Sequence, residues 1–413
     1  TFNMSVVWLT GATIIDGTGA DPIENCAVAV ENGRISALGG TPPTGAEALD
    51  CAGLTITPGL IDAHVHLGGS SDLAPSLRRQ ISVAELAADM FATCASTLDG
   101  GFTTVRDCGG IDGGLAGVVA SGKIPGPRII QCGPIQCQTG GHGHLAAEWE
   151  PTSDWSDHDI PGLRCMSLLS DGPHEMRKNV RETFRRGADF LKLCVTGGVV
   201  STHDKLTDTQ FTVDEIEVAV EEANARGTYV TVHAHNNEGI RNAVTAGAKC
   251  VEHGSGIDDE TAKLMAEHDV ALVPTLAVVQ ALSDSAASAG LPDSISARIG
   301  KMMQGQIDGL LAARNAGVRV GLGSDLIGTD QTGRGMELVL RAKVETPMDA
   351  LVSATRINAD ILGIADEVGT IEVGKFADLV AFRGNPLTDP SIFADRERIA
   401  LVIQSGRVVK DCR

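Results

Sequence analysis

Along most of the chain, short apolar and β-branched runs alternate with longer stretches in which apolar residues recur every three or four positions. The short runs read as strands and the longer ones as amphipathic helices. Eight runs carry the strand pattern: Leu60–His66, Phe102–Asp107, Arg128–Cys132, Phe190–Val195, Tyr229–His233, Lys249–His253, Ala271–Thr275 and Val318–Asp325. Between them fall helical stretches at Val83–Leu98, Pro173–Arg186, Val213–Ala225, Glu238–Ala246, Asp259–His268 and Ser296–Ala316. Strands joined through helices build parallel sheets, and eight is the number that closes a (β/α)8 barrel. Both chain ends instead show short β runs broken by turns, with an Asn32-Gly33 hairpin signal near the start and Gly384-Asn385-Pro386 near the finish. The pattern therefore predicts an α/β protein. A (β/α)8 TIM-like barrel spans residues 58–365, and a small β-sandwich domain is built from residues 1–57 and 366–413.

Composition narrows the partners. Of 413 residues, 43% are hydrophobic and 21% charged, and 53 acidic against 33 basic side chains give a formal net charge of −20. So acidic a surface disfavours a polyanion, and nucleic-acid binding is not expected. No apolar run reaches the roughly 18 residues of a membrane span. The ten cysteines are scattered without a CxxC pair, which reads as mostly reduced, buried side chains of a cytoplasmic protein, with room for a few disulfides. The opening TFNMSVVWLTG does not look like a signal peptide. The expected partner is instead a small molecule, and a barrel of this kind is expected to form a homo-oligomer.

The ends of the strand runs hold the candidate chemistry. His64 and His66 lie two apart on one strand, so both imidazoles project from one face and can share a metal ion. Lys192, His233, His253 and Asp325 occupy the C-terminal parts of four further runs, where barrel active sites lie. Imidazoles and a carboxylate suit zinc or a similar divalent ion, whereas an ammonium has no lone pair to offer. Lys192 is then either the salt-bridge partner of Asp325 or, after carbamylation by CO2, a carboxylate able to bridge two metals. Arg106 and Asp107 read as an internal ion pair, and Tyr229 as core. His158, His174 and His268 read as surface positions. Trp149 and Trp155 are placed on a loop over the pocket.

The set PGLIDAHVH, GFTTVRDCGG, QTGGHGH, LKLCVTGGV, VHAH, VEHGS, GLGSD and GTIEVGKFADLV resembles the amidohydrolase superfamily over about Val6 to Val409. Within it, the chain is similar to metal-dependent dipeptidases and carboxypeptidases, the Xaa-Pro dipeptidase and imidazolonepropionase-related branch. The resemblance implies two divalent metal ions, most naturally zinc. His64, His66 and Asp325 would hold one and His233 and His253 the other, with a carbamate on Lys192 and a hydroxide bridging them. Asp325 would be the general base and acid. His142, with His144 in the same glycine-rich loop, and His235 would bind substrate, His142 near the reacting carbonyl or the carboxylate. At His235 the proline-releasing relatives carry tyrosine, whereas basic-residue carboxypeptidase relatives have HAH followed by glycine, so His235-Asn236 matches neither completely. The implied reaction is hydrolysis of dipeptides or N-acyl amino acids. The rival is a non-peptide amide, carbamate, phenylurea or cyclic amide. A non-enzymatic scaffold would have no use for the full donor set.

Overall fold

The computed structural model describes residues 6–73, 76, 79–151, 159–201, 203–288, 290 and 293–413. Trp155 and His158 lie outside them. The chain opens with β1 (Val7–Ile14), β2 (Ile23–Glu31), β3 (Arg34–Leu38), β4 (Glu47–Asp50) and β5 (Leu54–Pro58). It then runs through β6 (Leu60–Val65), β7 (Phe102–Asp107), β8 (Arg128–Gln131), β9 (Ile135–Cys137), β10 (Ser167–Leu169), β11 (Leu191–Cys194), β12 (Val230–Ala234), β13 (Cys250–His253) and β14 (Ala271–Val273). At the end come β15 (Leu379–Arg383), β16 (Ile399–Gln404) and β17 (Arg407–Asp411).

Both chain ends belong to one eight-stranded sheet, in the order β17-β16-β15-β5-β1-β2-β3 with β4 paired to β1. The join is the antiparallel pairing of β15 with β5, Leu379 opposite Pro58 through Arg383 opposite Leu54. The central residues form two parallel sheets, β6-β7-β8 and β10-β9-β11-β12-β13-β14. Every residue of β6, β7, β11, β12, β13 and β14 is buried. Helices cover the outer face, so these strands are buried on both faces, and the polar residues they carry, Asp62, Arg106, Lys192 and Glu252 among them, are buried as well.

Seven of the eight expected strands are present. The eighth, 318–325, pairs regularly only at Val320, which bridges Leu272 in parallel. Its backbone nevertheless reaches both neighbouring sheets: Gly321 N–H donates to the Leu272 carbonyl (2.8 Å), and Ala63 N–H donates to the Leu322 carbonyl (3.0 Å). Strands β9 and β10 were not expected. At three residues each, neither is long enough to show a period.

Helices α1 (Val83–Asp99), α2 (Gly113–Ala120), α3 (Gly172–Arg185), α4 (Val213–Asn224), α5 (Asn237–Ala246) and α6 (Asp259–Glu267) follow their strands. Local chemistry sets their ends. Ser82 accepts a hydrogen bond from the Glu85 N–H, Thr212 and Glu215 form a capping box, and Gly247 closes α5 at φ 103°. Between β14 and residue 318 come α7 (Leu276–Ser288) and α8 (Asp293–Asn315). After residue 325 come α9 (Met336–Val344), α10 (Pro347–Val352) and α11 (Asn358–Ile361). The apolar faces of α3 to α6 and of α8 close over the sheet, with Ile240, Met265 and Leu310 packed against Val232, Val251 and Leu272. None of the described helices is long and apolar enough to cross a membrane.

Glu337, fully buried in α9, accepts the Ala277 N–H at the start of α7 (2.5 Å), while its Oε1 has no partner. Burial pushes its carboxyl up to about 8. A raised carboxyl stabilises the fold fully below its ordinary value of 4.5, and that contribution is lost as pH rises toward about 8. The interval corresponds to up to ~5 kcal/mol at about 1.4 kcal/mol per pH unit. Glu337→Gln stays neutral, so it is expected to be more stable than wild type at pH 9 and no more stable at pH 4. Urea unfolding midpoints at the two pH values check this.

Candidate metal centre and its cavity

The parallel sheets carry the donors to one end. His64 lies on β6 and His66 just beyond it, Lys192 on β11, His233 on β12 and His253 at the end of β13. Parallel register sets Cys194 beside His233 and Ala234 beside His253. Asp325 arrives from the last segment, its N–H donating to the His64 carbonyl (2.8 Å). Two site residues adopt left-handed backbone without being glycine, His253 at φ 69° and Asp325 at φ 55°. Such a conformation costs roughly 1–3 kcal/mol and persists where surrounding structure enforces it.

The donor atoms converge. His64 Nε2 and His66 Nε2 are 3.2 Å apart, and Asp325 Oδ1 lies 3.3 Å from the first and 3.1 Å from the second. Asp325 Oδ2 is 3.8 Å from His253 Nδ1. His66 Nδ1 donates to the Gly109 carbonyl (2.7 Å), and His64 Nδ1 donates to Glu252 Oε2 (3.1 Å). With each ring's proton on Nδ1, both Nε2 lone pairs face each other and the Asp325 carboxylate. Three acceptors around one point repel unless a cation sits between them, so the donor set fits a divalent metal. A second group, His233, His235 and His253, has ligand atoms within 4.8 Å of one another.

The electrostatics agree. Burial pushes the Asp325 carboxyl up, but the charges of His64 and His253 and hydrogen bonds from His64 and His66 hold it well below the usual range. Burial opposes a charge on His64, and nearby anions, including Asp325 and Glu252, outweigh it and raise its pKa. A field that holds a proton there also favours a metal cation. Lys192 is 2% exposed and lines the cavity. The ion-pair partners of Asp325 among the described residues are His64, His66 and His253, not Lys192.

His142 and His235 line the same cavity as the donors. The His142 ring stacks on His233 at 4.2 Å, and its Nδ1 meets Ser201 Oγ at 2.9 Å. Ser201 donates in turn to Asp204, and Gln210 ties the group together by accepting the His142 N–H (3.0 Å) and donating to Asp204 (2.8 Å). Gly198 leaves room for the ring, since a Cβ there would come within 2.1 Å of it. His235 Nδ1 meets Ser255 Oγ at 2.8 Å, and its ring stacks on His253 at 5.0 Å. His235 also stands with His233 and His253 in a group whose ligand atoms could hold a metal ion. Burial lowers His142 to about 4 and His235 to about 3, so both are neutral at pH 7. His144 is not brought in: its Nδ1 accepts the Gly140 N–H (2.9 Å), and its ring faces His203 at 5.7 Å. Trp149 is 89% exposed and does not line this cavity.

Glu252 was missed, and the expected Arg106–Asp107 ion pair is not formed. Arg106 instead pairs with Glu252, both being fully buried. Thr231 Oγ1 also donates to Glu252 (2.8 Å), and Tyr229, the only tyrosine, meets Arg106 through its hydroxyl at 3.2 Å. Burial would raise the Glu252 carboxyl, but the charges of Arg106 and His64 hold it at about 2. Asp107 accepts the Leu67 and Gly109 N–H groups, and burial raises it to about 6. The only local signal for Glu252 was a carboxylate beside a candidate ligand in a buried strand. Above this floor opens a cavity of about 1050 Å³, counting the space at its mouth.

The amidohydrolase family model matches residues 55–409, a span that includes every donor described above. The chain belongs to the amidohydrolase family. It is 35% identical to a prolidase solved with N-methylphosphonate-L-proline, at a TM-score of 0.91 over 98% of this chain and 100% of that one. A Xaa-Pro dipeptidase with methionine in its active site is 29% identical, at a TM-score of 0.86 over 98% and 100%. The ochratoxinase of Aspergillus niger is 29% identical over 410 residues, 96% of this chain and 85% of that protein. Amidohydrolases typically use a divalent metal, for which the His and Asp groups are competent, and hydrolyse C–N bonds.

Proposed function

We propose that this amidohydrolase cleaves the amide bond of dipeptides or N-acyl amino acids and releases an α-amino acid. The observation that carries the reading is the meeting of the metal-competent donors with His142 and His235 in one cavity. The prolidase and dipeptidase relatives support an amino-acid leaving group. In this reading the two parallel sheets and segment 318–325 make up the (β/α)8 barrel, and the eight-stranded sheet of the chain ends makes up the β-sandwich domain beside it.

His64, His66 and Asp325 would hold one ion and His233 and His253 the other, with Lys192 joining as a CO2-derived carbamate. When bound, two such ions, zinc by preference for these ligands, acidify a water molecule and polarise a carbonyl. Asp325 is kept ionised, so it can take a proton from the attacking water and return it to the leaving amine. His142 and His235 are neutral and meet the substrate as hydrogen-bonding groups, while His144 steadies the loop. The ochratoxinase relative and the lack of an arginine among the described lining residues favour, as second reading, a non-peptide amide needing no carboxylate anchor.

Metal content per chain, measured for wild type and Lys192→Ala beside turnover of a dipeptide and N-acyl amino acid library, tests this. Near two ions in wild type, metal loss in the variant and release of free amino acid are expected. One ion in both proteins, with turnover only of amides lacking a carboxylate, moves the assignment to the second reading.

A further inference from the structure

Beside the metal-competent donors the cavity is lined by apolar side chains, and one wall of them comes from a single pair of helices. Among the described lining residues, the ionisable side chains are the six histidines His64, His66, His142, His233, His235 and His253 together with Lys192, Cys194 and Asp325. The wall comes from the α7–α8 pair inserted between β14 and segment 318–325: Val278, Val279 and Leu282 from α7, and Met302 from α8. Val279 and Met302 also belong to one apolar cluster with Ala286 and Ile299, against which Val199 and Leu282 pack. The wall is therefore held by the packing of the two helices on each other and not by a loop free to turn a charge inward. Gln306 and Thr275 line the cavity as well, but they are occupied with one another, Gln306 Oε1 accepting the Thr275 N–H at 2.8 Å.

The acids that could have built a pocket for a basic side chain are engaged elsewhere. Asp204 accepts from Ser201 and Gln210, Asp208 from the Lys205 N–H (2.9 Å), and Asp330 from Thr332 (2.9 and 2.6 Å). Glu148 is exposed. None of the four lines the cavity.

We infer that the α7–α8 wall selects substrates in which one flank of the scissile amide, acyl or amine, carries a bulky, uncharged, apolar group. This rests on the reading of the cavity as an amide-hydrolysing site. A charged group placed against Val278, Val279, Leu282 and Met302 would be stripped of water with no partner, whereas an apolar group would bury area against them.

The test is a matrix of N-acetyl, N-octanoyl and N-succinyl derivatives of glycine, leucine, aspartate and lysine, assayed by kcat/KM on the metal-loaded wild type, Leu282→Lys and Met302→Ala. On one flank, apolar groups are expected to exceed both the small and the charged ones by at least ~30-fold, within the range that hydrophobic pockets achieve. Leu282→Lys is expected to narrow the gap between apolar and acidic groups on that flank by about tenfold, and Met302→Ala to reduce the preference for the apolar group. Equal turnover of apolar and charged members, within about threefold on both flanks, overturns the inference and leaves the amidase reading standing. A preference unchanged in both variants overturns the role of the wall. No turnover of any amide overturns the amidase reading itself. The wild-type matrix decides the substrate class even if a variant does not fold.

Discussion

Asp325→Asn is expected to lower kcat by roughly 10²–10⁴-fold, the range lost when a positioned proton carrier is removed. The substitution suits the position. Asp325 sits at φ 55°, a conformation that asparagine tolerates well among non-glycine residues. The backbone bond from Asp325 N–H to the His64 carbonyl needs no side chain and survives. What disappears is the negative charge that lies 3.1–3.3 Å from two imidazole nitrogens, and with it the basic oxygen facing the cavity. Steady-state kinetics on one amide substrate, with circular dichroism as the fold control, reads the effect. A rise in KM with kcat unchanged would show that Asp325 binds and does not carry protons.

Glu252→Ala is expected to cost about 3–5 kcal/mol of stability, because it leaves the Arg106 guanidinium buried without its counter-charge. It also removes the acceptor that holds the His64 proton on Nδ1, so metal affinity is expected to fall about 10–100-fold. Urea unfolding and metal titration measure the two losses separately. Glu252→Gln divides them further. It keeps an oxygen for Arg106 and Thr231, yet presents an amide N–H to His64 Nδ1, which turns that nitrogen into an acceptor and sends the ring proton to Nε2, into the donor centre. The Gln variant should therefore lose metal affinity while keeping more of its stability than the Ala variant. The pH dependence has a definite sign. A carboxyl held at about 2 contributes stability that is present above its ordinary value of 4.5 and is lost as pH falls toward about 2.

Much of the scaffold was legible in the chain because buried parallel strands and amphipathic helices impose different periods. Seven expected strands stand at their expected places, from Leu60–Val65 to Ala271–Val273. The missed strands, Ile135–Cys137 and Ser167–Leu169, owe their pairing to neighbours and not to a pattern of their own. Segment 318–325 looked like a regular strand because Val318, Val320 and Leu322 alternate along it, although its hydrogen bonds go out to two sheets without forming a ladder.

The sequence by itself determined which residues could meet at the ends of the parallel strands. Two histidines spaced by two, and single His, Lys and Asp residues where strand patterns stop, follow from side-chain alternation alone. Only the tertiary structure decided how those residues are held. The His64–Glu252 and Arg106–Glu252 contacts join residues 188 and 146 positions apart, and no local period carries that information. The left-handed turns at His253 and Asp325, the exclusion of His144 and the apolar wall from Val278 to Met302 are likewise products of packing. Each depends on which surfaces come together after the strands have paired, a choice made by the whole fold and not by any one stretch of it.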